Sequence, residues 1–148
     1  MSNELKAMSK KVHRFEDLIA WQKARALTQS IYLLGRSGNL SKDFGLKDQL
    51  QRSAVSIMSN IAEGFERSGR NEFINFLTFS KGSAGEVKSQ LFRAMDRKYI
   101  TQEQFDRLYE KVDIIGKKIG SFINYLNKTE HKGNKFKKFS LICFCKIK

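Results

Sequence analysis

The sequence predicts an all-α protein, an antiparallel up-down-up-down four-helix bundle. Three observations carry this. Apolar residues recur at alternating steps of three and four in four separate stretches. No Val/Ile/Thr alternation of the kind that marks strands occurs before residue 127. None of the 148 residues is proline, which suits long helices, because proline costs about 3 kcal/mol inside one. Short connections between long amphipathic helices favour a bundle over a helical array, and no internal repeat is present to suggest an array.

In the first helix Ala20, Ala24, Leu27, Ile31 and Leu34 share one face, and Phe15, Leu18 and Trp21 extend the apolar surface at its start. The segment Gly35–Phe44 reads as a loop from its glycines, serines and asparagine. A second helix begins near Gly45, with Leu46, Leu50, Ala54, Ile57 and Ile61 as its stripe. Val55, Met58 and Ala62 make a second side apolar, so this helix is expected to be the most buried. Gly64 is read as its C-terminal stop, where glycine takes a positive φ at little cost. The third helix is placed at Asn71–Lys98, with Phe73, Leu77, Ala84, Val87, Leu91 and Ala94 facing the core. Thr101 and Gln104 match a capping box at the start of the fourth. There Phe105, Leu108, Val112, Ile115, Ile119, Phe122 and Leu126 form an unbroken seven-residue pattern.

The net charge of +13 is unevenly spread: +3 on residues 1–14, +4 on 15–126 and +6 on 127–148. Residues 1–13 are read as a basic tail, 14–126 as the bundle, and 127–148 as a poorly ordered basic and apolar tail. Basic tails serve nucleic-acid contact or solubility, and the sequence leaves both readings open. The N-terminus lacks the apolar core of a secretory signal, so a cytoplasmic protein with reduced cysteines is expected, and the acceptor patterns at Asn39 and Asn127 carry no glycan. No apolar run reaches the roughly 18 residues of a membrane span.

Most motif-like features have a bland reading. Gly64–Arg70 copies the spacing of a phosphate loop, but Arg70 and Asn71 stand where lysine and serine or threonine belong, and the segment follows a helix. It reads as an interhelix turn. Gly82 and Gly85, with Lys81, Ser83 and Ala84, lie inside the third helix, where each glycine costs about 1 kcal/mol against alanine. A tight helix crossing or a bend is the expected compensation, ahead of a nucleic-acid clamp, which needs a loop. Ser53, Ser56 and Asn60 share a face and are expected to bond to neighbouring helices. A catalytic reading would rest on Arg52, Glu63 and scattered serines, with no base beside a nucleophile, so no enzyme is expected. His13 and His131 lie in the tails, and Cys143 and Cys145 lack further ligands, so neither a metal nor a cofactor is expected. The apolar run Phe139–Phe144 could dock on the bundle or a partner, add a strand, touch lipid, or stay disordered.

The basic candidates for nucleic-acid contact are Arg52, Arg67, Arg70, Lys81, Lys88, Arg93, Arg97 and Lys98 on the bundle, and Lys135, Lys137 and Lys138 in the tail. Glu66, Glu72, Glu86 and Asp96 dilute them.

The stretch Phe15–Ala24, the run Phe44–Leu46 followed by Gln49–Ile57, the pentapeptide Asn60–Gly64, Arg67, and Gly82–Glu86 occur in an order that resembles a family over residues 14–126. It is that of the bacterial four-helix proteins encoded in 23S ribosomal RNA gene intervening sequences, itself similar to the accessory variability determinant of diversity-generating retroelements. The resemblance implies a homopentameric barrel and association with nucleic acid, with no catalytic activity. For the retroelement relative it implies a reverse transcriptase as partner, so a scaffold that docks a polymerase is the alternative function. Trp21, Asn60, Glu63, Gly64, Gly82, Ser83 and Glu86 are then structural residues of the family motif. This chain departs from the family at Met58, where proline is common, and at Gly38–Leu40, where a Phe-Pro pair is common. A pentamer would explain two apolar faces on one helix, and five subunits at +13 carry +65 together.

Overall fold

A computed structural model describes residues 12–128. These residues form four α-helices and no strand: α1 (Ile19–Leu34), α2 (Phe44–Glu66), α3 (Arg70–Asp96) and α4 (Gln102–Lys128). A single 3-10 turn, Phe15–Asp17, precedes α1. The interval 1–11 and the segment from 129 onward, with Lys135, Lys137, Lys138, His131, Cys143, Cys145 and the apolar run, lie outside the described residues.

The helices pack as neighbours around one core: α1 against α2, α2 against α3, α3 against α4, and α4 against α1. The predicted stripes are the buried ones. Leu108, Val112, Ile115, Ile119, Phe122 and Leu126 of α4 are all buried, with Phe105 half-buried at the start of the seam. The capping box is present: Thr101 Oγ1 accepts from the Gln104 amide at 3.1 Å, and Gln104 Oε1 accepts from the Thr101 amide at 2.9 Å.

Several expectations need correction. Gly64 does not end α2, which runs on to Glu66. A Cβ built on Gly64 would lie 2.6 Å from Phe76 Cβ and 2.9 Å from Phe73 Cδ2. The residue is glycine because α3 passes too close for any side chain. The close approach expected at Gly82 and Gly85 is absent, since a Cβ at either would meet nothing within 4 Å. The loop 35–44 holds a 3-10 turn, Asn39–Lys42, that inserts Leu40 into the core. Nor is α2 uniquely buried: α2 and α3 each bury eight residues, and Val55, Met58 and Ala62 are only half-buried. The helix runs uninterrupted through Met58, whose sulfur sits 3.7 Å from Thr28 Oγ1 of α1.

Between α2 and α3 lies a line of polar bonds. Ser53 donates to Glu86 Oε2 at 3.0 Å, Ser56 and Ser83 share a hydrogen bond of 2.8 Å, and buried Ser80 donates to the Ile57 carbonyl at 2.8 Å. Asn60 turns back on its own helix and donates to Ser56. Ser53, Ser56, Ser83 and Glu86 therefore join helices, as the structural reading of this stretch requires. Trp21, half-buried, meets Phe15 edge-on at 5.1 Å and fixes the start of α1.

Candidate nucleic-acid interface

A cation can contact phosphate cheaply only if no carboxylate already holds it. Surface ion pairs are weak in water, yet each one competes with an incoming anion. The basic candidates divide on this criterion.

Arg52 pairs with Asp48 at 2.8 Å, four residues back. Arg67 pairs with Glu63 at 2.7 Å, reaches Glu72 at 3.7 Å, and lies over the Phe76 ring. The hydrogen bond it donates to the Glu63 carboxylate raises the guanidinium further above its ordinary value. Glu63, placed unfavourably for the helix dipole near the end of α2, is offset by this pair. Arg70, half-buried at the start of α3, is also engaged. Lys88 is part of the α3–α4 joint. Its Nζ lies 2.6 Å from Asp113 Oδ1 and 4.8 Å from the Tyr109 ring centre. Lys117 holds the other oxygen of Asp113 at 2.8 Å. The hydrogen bonds from Lys117 and then Lys88 pull the Asp113 carboxyl down to about 2. Lys88 is thus tied into the joint between two helices, whereas Arg52 and Arg67 stay exposed beside carboxylates that offset their charge.

Lys81, Arg97 and Lys98 are exposed and make no ion pair among the described residues. Lys81 stands alone beside Gly120 of α4. Arg97 and Lys98 lie at the end of α3, and the fold brings that end to the start of α2. Asp43 caps α2, accepting from the Leu46 amide at 3.1 Å, and also accepts from the Tyr99 hydroxyl at 3.2 Å. The Leu46 bond, then Tyr99 and the nearby charges of Arg97 and Arg93, hold the Asp43 carboxyl below its ordinary range. Arg93 donates to Gln49 at 2.6 Å and Gln90 at 2.7 Å, and forms no ion pair with a carboxylate among the described residues.

Between the two ends is an open depression of about 680 Å³, lined by Asn39, Lys42, Asp43, Phe44, Gly45 and Tyr99. Phe44 is 73% exposed, and Lys47 Nζ lies 5.0 Å from its ring centre. The candidate surface at this end therefore holds Lys42, Lys47, Arg93, Arg97 and Lys98 near two aromatic rings, Phe44 and Tyr99. Arg93, Arg97 and Lys98 are among the candidates that the sequence reading names. That reading missed Lys42, Lys47, Phe44 and Tyr99, because nothing local joins residue 44 to residue 99. Among the described residues no group of three or more histidine, cysteine, aspartate or glutamate side chains could hold a metal ion, and no helix is long and apolar enough to cross a membrane.

The fold and this end together define an all-α, four-helix protein with a basic and aromatic surface. The chain belongs to the 23S rRNA-intervening sequence protein family, whose pattern matches residues 16–121. It is similar to a protein of unknown function from the S23 ribosomal protein family of Bacteroides thetaiotaomicron. That crystal structure shares 29% sequence identity, covers 75% of this chain and 100% of its own, and superposes with a TM-score of 0.66. No curated protein matches the chain.

Proposed function

We propose that this protein is a non-enzymatic, oligomeric nucleic-acid-binding bundle whose partner is the RNA associated with ribosomal intervening sequences. The observation that carries the reading is the gathering of Lys42, Arg93, Arg97 and Lys98 at one end without carboxylate partners beyond Asp43. Family membership supplies the ribosomal RNA context. Binding acts through phosphates, so it carries little sequence information. The non-enzymatic reading is supported by the seam hydroxyls: Ser53 is 5% exposed and Ser80 fully buried, out of reach of a substrate.

The up-down-up-down course is supported by the pairing of late residues on one helix with early ones on the next. Gly35 lies beside Lys47, Ser56 meets Ser83 while Gln49 meets Arg93, and Phe73 meets Phe122 while Phe92 meets Phe105. The pentamer draws support from the outer surface of α3. Phe79 is 59% and Phe92 52% exposed, and Gly82 and Gly85 face open space where another backbone can approach.

Fluorescence anisotropy of the full chain with a labelled structured RNA tests the first claim. Between 50 and 200 mM salt, six to ten phosphate contacts lose about three to five decades of affinity. Affinity that ignores salt overturns the phosphate mechanism, and absence of binding at low salt overturns the function. Sedimentation velocity tests the second: five copies of a 17.1 kDa chain sediment near 86 kDa, and a monomer refutes the assembly.

A further inference from the structure

We propose that the depression between the start of α2 and the end of α3 is a subsite for one unpaired nucleotide. Its base stacks on Phe44, and its flanking phosphates meet Lys42, Arg97 and Lys98. The proposal rests on the nucleic-acid reading and deepens it, from general phosphate attraction to recognition of single-stranded segments.

Four observations converge. Phe44 is the first residue of α2 and leaves 73% of its surface in water, while Leu46 and Leu50 of the same helix supply the core. A single exposed ring means little by itself. Here the ring lines a depression that Tyr99 also lines, with the Lys47 ammonium over one of its faces at 5.0 Å from the ring centre. Aromatic faces beside cations are how sequence-tolerant proteins hold single strands, since every base has a π-face. The depression holds about 680 Å³, within the roughly 300–1,000 Å³ of sites for small organic ligands. In a duplex both base faces are covered by the stack, so this ring is useful only to an unpaired base.

The fourth observation is Lys98. It is the only non-glycine among the described residues with a left-handed backbone, at φ 58°. It closes α3 in the usual manner, with the Lys98 amide on the Met95 carbonyl at 2.8 Å and the Tyr99 amide on the Ala94 carbonyl at 2.9 Å. Glycine takes this position without strain, and a lysine there is held against its backbone preference. In the chain Lys98 directly precedes the depression-lining Tyr99, is exposed, and makes no ion pair among the described residues.

The test uses the full chain and three labelled probes at about 100 mM salt: a twelve-nucleotide oligouridine, oligothymidine of the same length, and a twelve-base-pair RNA duplex. Phe44→Ala is expected to weaken both single strands between about 5-fold and about 150-fold, the alanine cost of one stacked base, and to leave the duplex within about twofold. Binding of both strands by the wild type supports stacking, which does not read the 2′-hydroxyl. Lys98→Gly is expected to weaken all three probes and lower the salt slope by about 1, while raising the melting temperature. A residue with only a structural role would not separate those signs. Equal losses on strands and duplex, or no loss in Phe44→Ala, overturn the subsite and leave the nucleic-acid function standing. A Phe44→Ala protein of lower sedimenting mass also overturns it, because the ring would then belong to a contact between copies. No binding of any probe by the wild type overturns both.

Discussion

Gly64→Ala tests a close approach of α2 and α3. The new Cβ would stand 2.6 Å from Phe76 Cβ and 2.9 Å from Phe73 Cδ2, about 1 Å inside ordinary carbon contact. Neither neighbour yields easily. Phe76 Cβ is fixed to the α3 backbone, and Phe73 is fully buried, edge-on to Phe65 at 6.0 Å and Phe122 at 5.2 Å. Relief requires α2 and α3 to part, so the cost belongs at the top of the 1–3 kcal/mol range for overpacking, about 3 kcal/mol. Gly64 lies in the last turn of α2, so the return from its replacement by alanine is at most the helix-interior value of about 1 kcal/mol. The net loss is at least about 2 kcal/mol, which for a domain of this size lowers the melting temperature by at least about 8 °C. Gly116→Ala in α4 is the control. Its Cβ would meet nothing within 4 Å, so only the helix-propensity gain of about 1 kcal/mol remains. Urea unfolding followed by circular dichroism at 222 nm gives both values from midpoints at unchanged slope. If Gly64→Ala matches or exceeds the wild type while Gly116→Ala stabilises, the α2–α3 packing argument is wrong.

Two further predictions concern α4. Thr101→Ala removes one side of the capping box and is expected to cost about 1 kcal/mol in the same urea assay, and a loss under about 0.3 kcal/mol would refute the cap's role. The Asp113 carboxyl, held near 2 by Lys117 and Lys88 against an ordinary 3.8, stabilises the fold fully above its unfolded value and loses that contribution as pH falls from about 4 to about 2. Thermal melts of Asp113→Asn should therefore fall below the wild type at pH 6 and converge with it near pH 2. A gap that persists at pH 2 would show that Asp113 acts through something other than its charge.

What the sequence made legible follows the range of the forces involved. The α4 stripe and the Thr101–Gln104 cap depend on residues three or four apart, so both were readable and both are present. The Arg52–Asp48 and Arg67–Glu63 pairs have the same local spacing, and attention to it would have discounted those cations as phosphate ligands. Lys88 could not be discounted that way, because Asp113 lies on another helix. Gly64 was misread because a glycine can be needed for its φ or for its missing Cβ, and only α3 overhead distinguishes the two. Leu40 looked like one apolar residue in a polar loop, yet it is 1% exposed, since the loop bends to place it. The α2–α3 end joins residues 42–47 to residues 93–99, a juxtaposition that exists only after folding.

The polar line between α2 and α3 works as a vernier. A hydrophobic seam tolerates sliding, because one leucine fits the place of another nearly as well. The pairs Ser53–Glu86, Ser56–Ser83 and Ser80–Ile57 align in one register only. A slip of one turn would leave several of these groups buried without partners, at about 1–3 kcal/mol each. The two kinds of position should then diverge under random mutagenesis. Leu50, Ile57, Leu77 and Leu91 should accept other aliphatic residues of similar volume. Ser56, Ser80 and Ser83 should accept almost nothing, although they contribute far less apolar area. In this hairpin the residues that exclude water and the residues that specify alignment are different sets, and the smaller set is the less replaceable.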